Sequence, residues 1–154
     1  MTLDDFDTLV LDPGLSLLPQ TMDTYHGRVM LRAIALQESR MKYRRQIRGP
    51  ARGWFQFESG GGVRGVLNHG SSKKHAQFVC ERLEYPATQP AVYNALADCD
   101  ALACAFARLL LWTLPHRLPT NAEDGWRQYL AAWRPGRPHE STWQKFWEQA
   151  AGVK

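Results

Sequence analysis

The residue of this sequence best suited to acid chemistry is Glu38, at the end of an apolar helical stretch from Arg32 to Ser39. A carboxylic acid at the tip of a buried helix loses hydration, which disfavours the charged form and raises the pKa. The negative end of the helix dipole acts in the same direction. A raised pKa lets a general acid keep its proton near neutral pH, and acids that protonate a glycosidic oxygen work in this way.

A second segment with chemical potential follows shortly after, where residues 53–58 (Gly-Trp-Phe-Gln-Phe-Glu) join aromatic and polar side chains. Gln56 lies between two Phe residues and has two interpretations: a solvent-facing strand residue whose neighbours point to the other face, or a polar group in a binding cleft. Ser39 is better suited to hydrogen bonding with the acid or the backbone than to nucleophilic attack. No His or Asp stands nearby in the sequence to activate it, although a partner distant in sequence remains open.

Glu38-Ser39 followed by Gly53-Trp54-Phe55-Gln56 resembles the Glu-Ser and Gly-Leu-Met-Gln motifs of soluble lytic transglycosylases and goose-type lysozymes. Segment 49–58 is most similar to transglycosylase-like proteins of tailed bacteriophages, and the resemblance covers residues 22 to 140. It implies a mainly α, lysozyme-like α+β fold with a substrate cleft. It also implies that Glu38 is catalytic and that the substrate-binding residues are Ser39, Phe55, Gln56, Glu58 and Tyr129.

Tyr129 enters through a third motif, since the segment from Tyr129 to Pro138 resembles the family's Ala-Tyr-Asn-x-Gly, whose Tyr lies close to the catalytic acid. The match is imperfect, because no Asn follows Tyr129 and Trp-Arg-Pro-Gly replaces the usual turn. The alternative is that Tyr129 and Trp133, four residues apart, are a packed helical pair.

The resemblance predicts an enzyme that cleaves the β-1,4 bond between N-acetylmuramic acid and N-acetylglucosamine in peptidoglycan. A lytic transglycosylase needs one carboxyl group, because the 6-hydroxyl of the sugar replaces water and closes a 1,6-anhydro ring. A true lysozyme of the same family would use a second acid to activate water. Glu58 is the main candidate for that acid, and Asp98 and Asp100 are more distant ones.

Two hypotheses from other classes stay open. One is a non-enzymatic nucleic-acid-binding protein that uses the arginines of residues 40–52, although no nucleic-acid-binding motif is present. The other is a structural tail or capsid component that has kept a degenerate lysozyme fold. Activity on purified peptidoglycan separates both from the enzyme.

The composition fits one soluble globular domain, with 154 residues, 44% hydrophobic and 22% charged. The net charge of +4 is unevenly distributed, because residues 1–23 contain five Asp and no Lys or Arg. The remaining chain therefore has 19 basic and 10 acidic residues, a formal +9. Six of the bases lie between the first two motifs, and they form either an attractive patch for a polyanion such as the cell wall or a solvated loop.

Other classes of protein are disfavoured. The three Cys residues have no metal-binding spacing, and no His or Cys cluster points to zinc, so neither metal nor cofactor is expected. No apolar run approaches the length of a membrane span, and no signal peptide is recognisable. We expect synthesis in a bacterial cytoplasm and action at the cell wall, as an endolysin or with phage virion or tail proteins as partners.

The elements that must position these residues are mostly helical. Residues 1–20 are expected to be a partly ordered lead segment, and residues 21–154 a single domain. Apolar spacing predicts a helix from Thr21 that ends at Glu38, capped by Thr21 or Asp23. Residues 40–58 are predicted to be a small irregular or hairpin-like β region that forms one wall of the cleft. Further helices are predicted over residues 63–68, 71–84, 88–97, 100–114, 121–133 and 140–151.

Overall fold

The computed structural model describes residues 1–152, which form a helical bundle with 62% of the chain in helix. Short π-helical turns at Asp7–Leu11 and Ser59–Val63 and a 3₁₀ turn at Gln20–Met22 complete the helical structure. The nine α-helices within the described residues are α1 (Leu3–Phe6), α2 (Asp12–Leu15), α3 (Tyr25–Ser39), α4 (Arg64–Asn68), α5 (Lys73–Arg82), α6 (Gln89–Ala95), α7 (Asp100–Trp112), α8 (Ala122–Trp133) and α9 (Glu140–Ala151).

The predicted α+β lysozyme-like fold is wrong, because residues 1–152 contain no strand and no sheet. Residues 40–58, predicted as the β region, form turns with two isolated bridges, Arg45 to Arg52 and Arg52 to Phe57. A strand needs consecutive extended residues. Here Arg48, Gly53 and Gln56 have left-handed backbone angles, so no ladder extends past a single residue pair.

Helix α7 forms the centre of the core, as its apolar sequence predicts. It packs against α2, α5 and the Asp7–Leu11 turn. Leu102, Phe106 and Leu109 are fully buried in it. The helix ends at Trp112, shortly before Pro115, because proline cannot continue a helical hydrogen-bond pattern.

Glu38 lies near the end of α3, and this helix begins at Tyr25 rather than at the predicted Thr21. Its N-cap is Thr24, whose Oγ1 accepts a hydrogen bond from the Gly27 amide at 3.1 Å. The residues before it form the 3₁₀ turn, which delays the helix start. Helix α3 packs against α9 and α7, and it closes at Arg40, which is left-handed with φ 57°.

The acidic N-terminal segment packs tightly on this framework. Phe6, Val10 and Leu11 are fully buried. Gly14 lies so close to α7 that a Cβ at this position would be 2.4 Å from the Cβ of Cys104. The segment therefore allows no larger residue at position 14 without a shift of the backbone.

The remaining helices agree with the sequence pattern within a few residues. Helix α8 is capped as predicted by Asn121, whose Oδ1 accepts a hydrogen bond from the Asp124 amide at 2.8 Å. Helix α9 has the predicted bounds. Helices α5 and α6 are shorter than predicted at their ends. Among residues 1–152, no helix is both long and apolar enough to cross a membrane.

Candidate active site

Glu38 occupies the last turn of α3 with its side chain half-buried. Its Oε1 accepts a hydrogen bond of 2.5 Å from the hydroxyl of Tyr129. Burial raises the pKa of Glu38 to about 7, and the negative charge of Glu58 adds to the effect. The Tyr129 hydrogen bond and the charge of Arg40 oppose it. Burial prevails, so the carboxyl group holds its proton near neutral pH.

The Glu38 carboxyl faces an open cavity of about 550 Å³ that the described residues form between α3, α8 and the 46–62 loop. Four of the six residues predicted for the site line this cavity: Glu38, Gln56, Glu58 and Tyr129. They come from three separate parts of the chain. An acid with a perturbed pKa in a concave cavity is the arrangement expected of a catalytic centre.

The other two predicted residues, Ser39 and Phe55, are buried behind the cavity and do not line it. The Ser39 hydroxyl lies 3.0 Å from the carbonyl oxygen of Ala35 and 2.7 Å from that of Trp54. Phe55 packs edge-on against Phe6 at 6.0 Å between ring centroids. The Ser39 contact fixes the 53–58 loop against the end of α3, and the Phe55 contact fixes it against α1.

Tyr129 is held by aromatic neighbours on α8 and α9. Its ring is stacked on Trp143 at 5.2 Å and 15°, and on Trp133 at 6.3 Å and 29°. Burial raises the pKa of Tyr129, and the Glu38 charge raises it further, so the phenol keeps its proton. A fixed, protonated phenol can only donate to the carboxylate, which orients the acid.

One hydrogen bond from α8 and one within the 53–58 loop fix the loop that includes Gln56. The indole Nε1 of Trp133 donates to the Phe55 carbonyl at 2.8 Å. The Gln56 backbone is left-handed with φ 52°, and its Nε2 donates to the Gly53 carbonyl at 2.9 Å. Gly53 itself has φ 78°, and a Cβ there would be 3.1 Å from the Leu96 carbonyl oxygen. The turn at Gly53 therefore sets where Gln56 enters the cavity.

Sequence reasoning missed one side of the cavity, the loop of residues 134–139 between α8 and α9. Gln37 fixes this loop beside the acid, because its Nε2 donates to the His139 carbonyl at 3.0 Å and its Oε1 accepts from Thr142 Oγ1 at 2.9 Å. The sequence did contain a signal for this loop, because residues 133–136 depart from the third family motif.

Several arginines of the predicted basic cluster take part in contacts of the fold. Arg44 pairs with Asp100 at 2.9 Å and lies over the Trp54 ring at 4.3 Å. Arg40 lies over the Phe146 ring at 4.6 Å. The ion pair with Asp100 reduces the charge that the cluster offers to a polyanion. Residues 1–152 contain no group of three His, Cys, Asp or Glu side chains able to hold a metal ion.

The chain matches no family model, and neither a curated protein nor a solved structure matches it.

Proposed function

We propose that this protein is a peptidoglycan-cleaving enzyme of the lytic transglycosylase type, with Glu38 as general acid and base. One observation carries the proposal: a half-buried carboxyl group with its pKa raised to about 7 faces a cavity and is oriented by a protonated tyrosine. The sequence motifs supply the substrate class. The helical fold as such contributes nothing to the proposal.

In the proposed first step, protonated Glu38 donates its proton to the oxygen that bridges C1 of N-acetylmuramic acid to the next sugar. The C1–O bond breaks, and the leaving sugar departs with a hydroxyl group. Positive charge develops at C1 and its ring oxygen. Since the pKa of Glu38 is about 7, a large fraction of the enzyme has the required proton at neutral pH.

In the second step, the Glu38 carboxylate accepts the proton of the sugar's 6-hydroxyl while O6 bonds to C1. The ring closes as a 1,6-anhydro sugar, Glu38 is protonated again, and no water is consumed. The Tyr129 hydroxyl stabilises the carboxylate between the two steps, because it donates to Oε1 at 2.5 Å. Gln56, on the cavity wall, is proposed to position the glycan.

Glu58 favours a second candidate function, that of a true lysozyme. It is exposed, lines the same cavity, and is near enough for its charge to raise the pKa of Glu38. A carboxylate there would activate water for attack on C1, and the products would have reducing ends. For either function we propose action at the cell wall, with phage virion or tail proteins as the partners that bring the enzyme there.

Digestion of purified sacculi, the intact peptidoglycan layers of bacterial cell walls, tests both functions. We expect the wild-type protein to release fragments with 1,6-anhydro ends, which mass spectrometry identifies because each is lighter by one water. Glu38→Gln should reduce the rate by about 10²–10⁴, the usual contribution of a general acid. Glu58→Gln should retain activity.

Reducing ends together with loss of activity in Glu58→Gln would identify the lysozyme instead. Full activity of a folded Glu38→Gln protein would refute both assignments. A wild-type protein without activity on sacculi would leave the non-enzymatic hypotheses.

A further inference from the structure

The cavity next to Glu38 is lined by two arginines that the chemistry above does not use. Arg134 and Arg137 belong to the loop between α8 and α9, and both are exposed. No carboxylate of residues 1–152 pairs with either of them, whereas Arg28, Arg32, Arg44, Arg45 and Arg127 all have acidic partners in that part of the chain. Their positive charge is available to a ligand.

The loop is anchored at both ends, so these charges have a defined place. Arg134 closes α8 in a left-handed conformation with φ 48°, and its amide donates to the Leu130 carbonyl at 3.1 Å. At the other end, the His139 carbonyl accepts hydrogen bonds from Gln37 Nε2 at 3.0 Å and from the Thr142 amide at 3.3 Å. Gln37 precedes Glu38 directly. The loop is thereby fixed to the turn of α3 that holds the acid.

The acidic and the basic residues of the cavity come from different segments of the chain. Its two acids, Glu38 and Glu58, are close enough that one raises the pKa of the other. Its two arginines come from a different segment, the anchored loop. A neutral glycan gains no charge contact from these arginines, but a glycan with carboxylates on its substituents could place its sugar at the acid and a carboxylate at the loop. Arginine suits that task because its planar fork binds carboxylates in two parallel hydrogen bonds.

We propose that Arg134 and Arg137 form a carboxylate-binding subsite that recognises the acidic peptide stems attached to alternate sugars of peptidoglycan. The inference rests on the proposed function and deepens it. The subsite favours strands with carboxylate-bearing stems over neutral glycans.

Native sacculi and sacculi whose carboxyl groups have been amidated with carbodiimide and ammonia test this subsite, because the polymer is the same and only its charge differs. The double variant Arg134→Gln/Arg137→Gln is compared with Arg82→Gln/Lys145→Gln, which removes equal exposed charge outside the cavity. On native sacculi we expect each cavity arginine to contribute about three- to fivefold to the cleavage rate, the upper part of the range for exposed ion pairs, and both together about tenfold. On amidated sacculi, the two double variants should cleave equally. Arg134→Lys/Arg137→Lys should recover only part of the loss, because lysine keeps the positive charge but cannot form the two parallel hydrogen bonds.

Co-sedimentation of the same variants in a Glu38→Gln background measures binding without cleavage, and it distinguishes the two proposals. If the wild type does not cleave native sacculi, the proposed enzymatic function fails, but the binding comparison still tests the subsite. Equal binding and equal rates for the cavity variant and the control variant would overturn the subsite. So would the same loss on native and on amidated sacculi.

Discussion

The two halves of α3 place charged side chains in opposite electrostatic surroundings. In the first half, Arg28 lies 2.8 Å from carboxylate oxygens of both Asp12 and Asp23, and Arg32 lies 2.5 Å from Asp7. In the last turn, Glu38 has no ion-pair partner in residues 1–152 and is held by the Tyr129 hydroxyl alone.

The difference separates charges that stabilise the fold from a charge available for chemistry. A buried ion whose partner is removed costs several kcal/mol, so the buried Arg32 ties the N-terminal segment to α3. The ion pairs of Arg28 are more exposed and contribute less. An acid without a cation partner has its pKa governed by burial, and that pKa rises towards neutrality. The acidic N-terminus and the candidate catalytic acid thus depend on one helix in different ways.

The largest effect on stability should come from breaking the ion pair between Arg32 and Asp7 in the first half of α3. Asp7→Asn leaves the Arg32 guanidinium buried without its counterion, with a neutral amide oxygen and the Ala150 carbonyl at 3.2 Å as its acceptors. We expect the free energy of unfolding to fall by about 3 kcal/mol, because Asp7 is partly hydrated and the loss lies at the low end for buried pairs. Urea unfolding at pH 7 measures it.

Asp4→Asn is the matched control, since it removes the same charge from an exposed position on the same helical segment. Its cost should be within about 0.5 kcal/mol of zero. The cleavage rate per folded molecule should stay unchanged in both variants. If Asp7→Asn costs no more than Asp4→Asn, the Arg32 pair does not hold the segment.

The sequence predicted the helices well where apolar residues recur at helical spacing, as in α7, α8 and α9. It predicted the wrong structure for residues 40–58, because aromatic residues near Gly and Pro suit a hairpin and a tight turn equally. The left-handed angles of Arg48 and Gln56 decide between the two, and no propensity encodes them for these residue types.

The same limit applies to the site. Local motifs identified Glu38, Gln56, Glu58 and Tyr129, which line one cavity. Ser39 and Phe55 belong to the same motifs, but whether a motif residue points to the cavity or to the core depends on tertiary packing. The pairing of Asp7 with Arg32, 25 residues apart, was equally inaccessible because its geometry arises only in the folded chain.

The buried position of Glu38 in the last turn of α3 predicts that its carboxyl group lowers the free energy of unfolding at neutral pH. The pKa of Glu38 is about 7 in the folded state against an ordinary 4.5, so folding disfavours the charged form. Wild-type stability should therefore fall as pH rises from 4.5 to 7, by about 3 kcal/mol, and fall no further above pH 7 from this group. Glu38→Gln, which cannot ionise, should match the wild type near pH 4 and exceed it by that amount at pH 8.

Denaturant unfolding of the two proteins across this pH range makes the test, with Glu58→Gln as the control. Because the charge of Glu58 contributes less than burial to the raised pKa of Glu38, Glu58→Gln should keep most of the fall in stability between pH 4.5 and 7. If the difference between wild type and Glu38→Gln did not vary with pH, the acid would not be desolvated, and the contrast within α3 would fail.

Tyr129→Phe should sharpen the contrast by removing the one side-chain hydrogen bond that residues 1–152 make to the Glu38 carboxyl group. The hydroxyl lowers the pKa of Glu38, so its loss should raise that pKa further, by about one unit if the bond contributes about 1.4 kcal/mol. The alkaline limb of the pH–rate profile on sacculi should move up accordingly, and the maximal rate should fall several-fold as the acid loses its orientation. Tyr25→Phe, whose hydroxyl bonds the Ala151 carbonyl outside the cavity, should leave the profile in place. An unmoved profile in Tyr129→Phe would show that the hydroxyl does not act on the acid.

The smallest effect concerns Gln56, a neutral residue on the same cavity wall, where stability and activity can be separated. Its left-handed backbone costs about 1 kcal/mol for any residue with a Cβ, and its side chain returns about as much through the bond to Gly53. Gln56→Gly relieves the backbone strain and loses the hydrogen bond, so its stability should stay within about 1 kcal/mol of wild type. Gln56→Ala loses the bond and keeps the strain, and should be about 1 kcal/mol less stable than Gln56→Gly.

If the side chain positions glycan, both variants should cleave sacculi several-fold more slowly and to the same extent. Activity that follows stability instead, with Gln56→Gly near wild type, would make Gln56 a residue of the loop and remove it from the site.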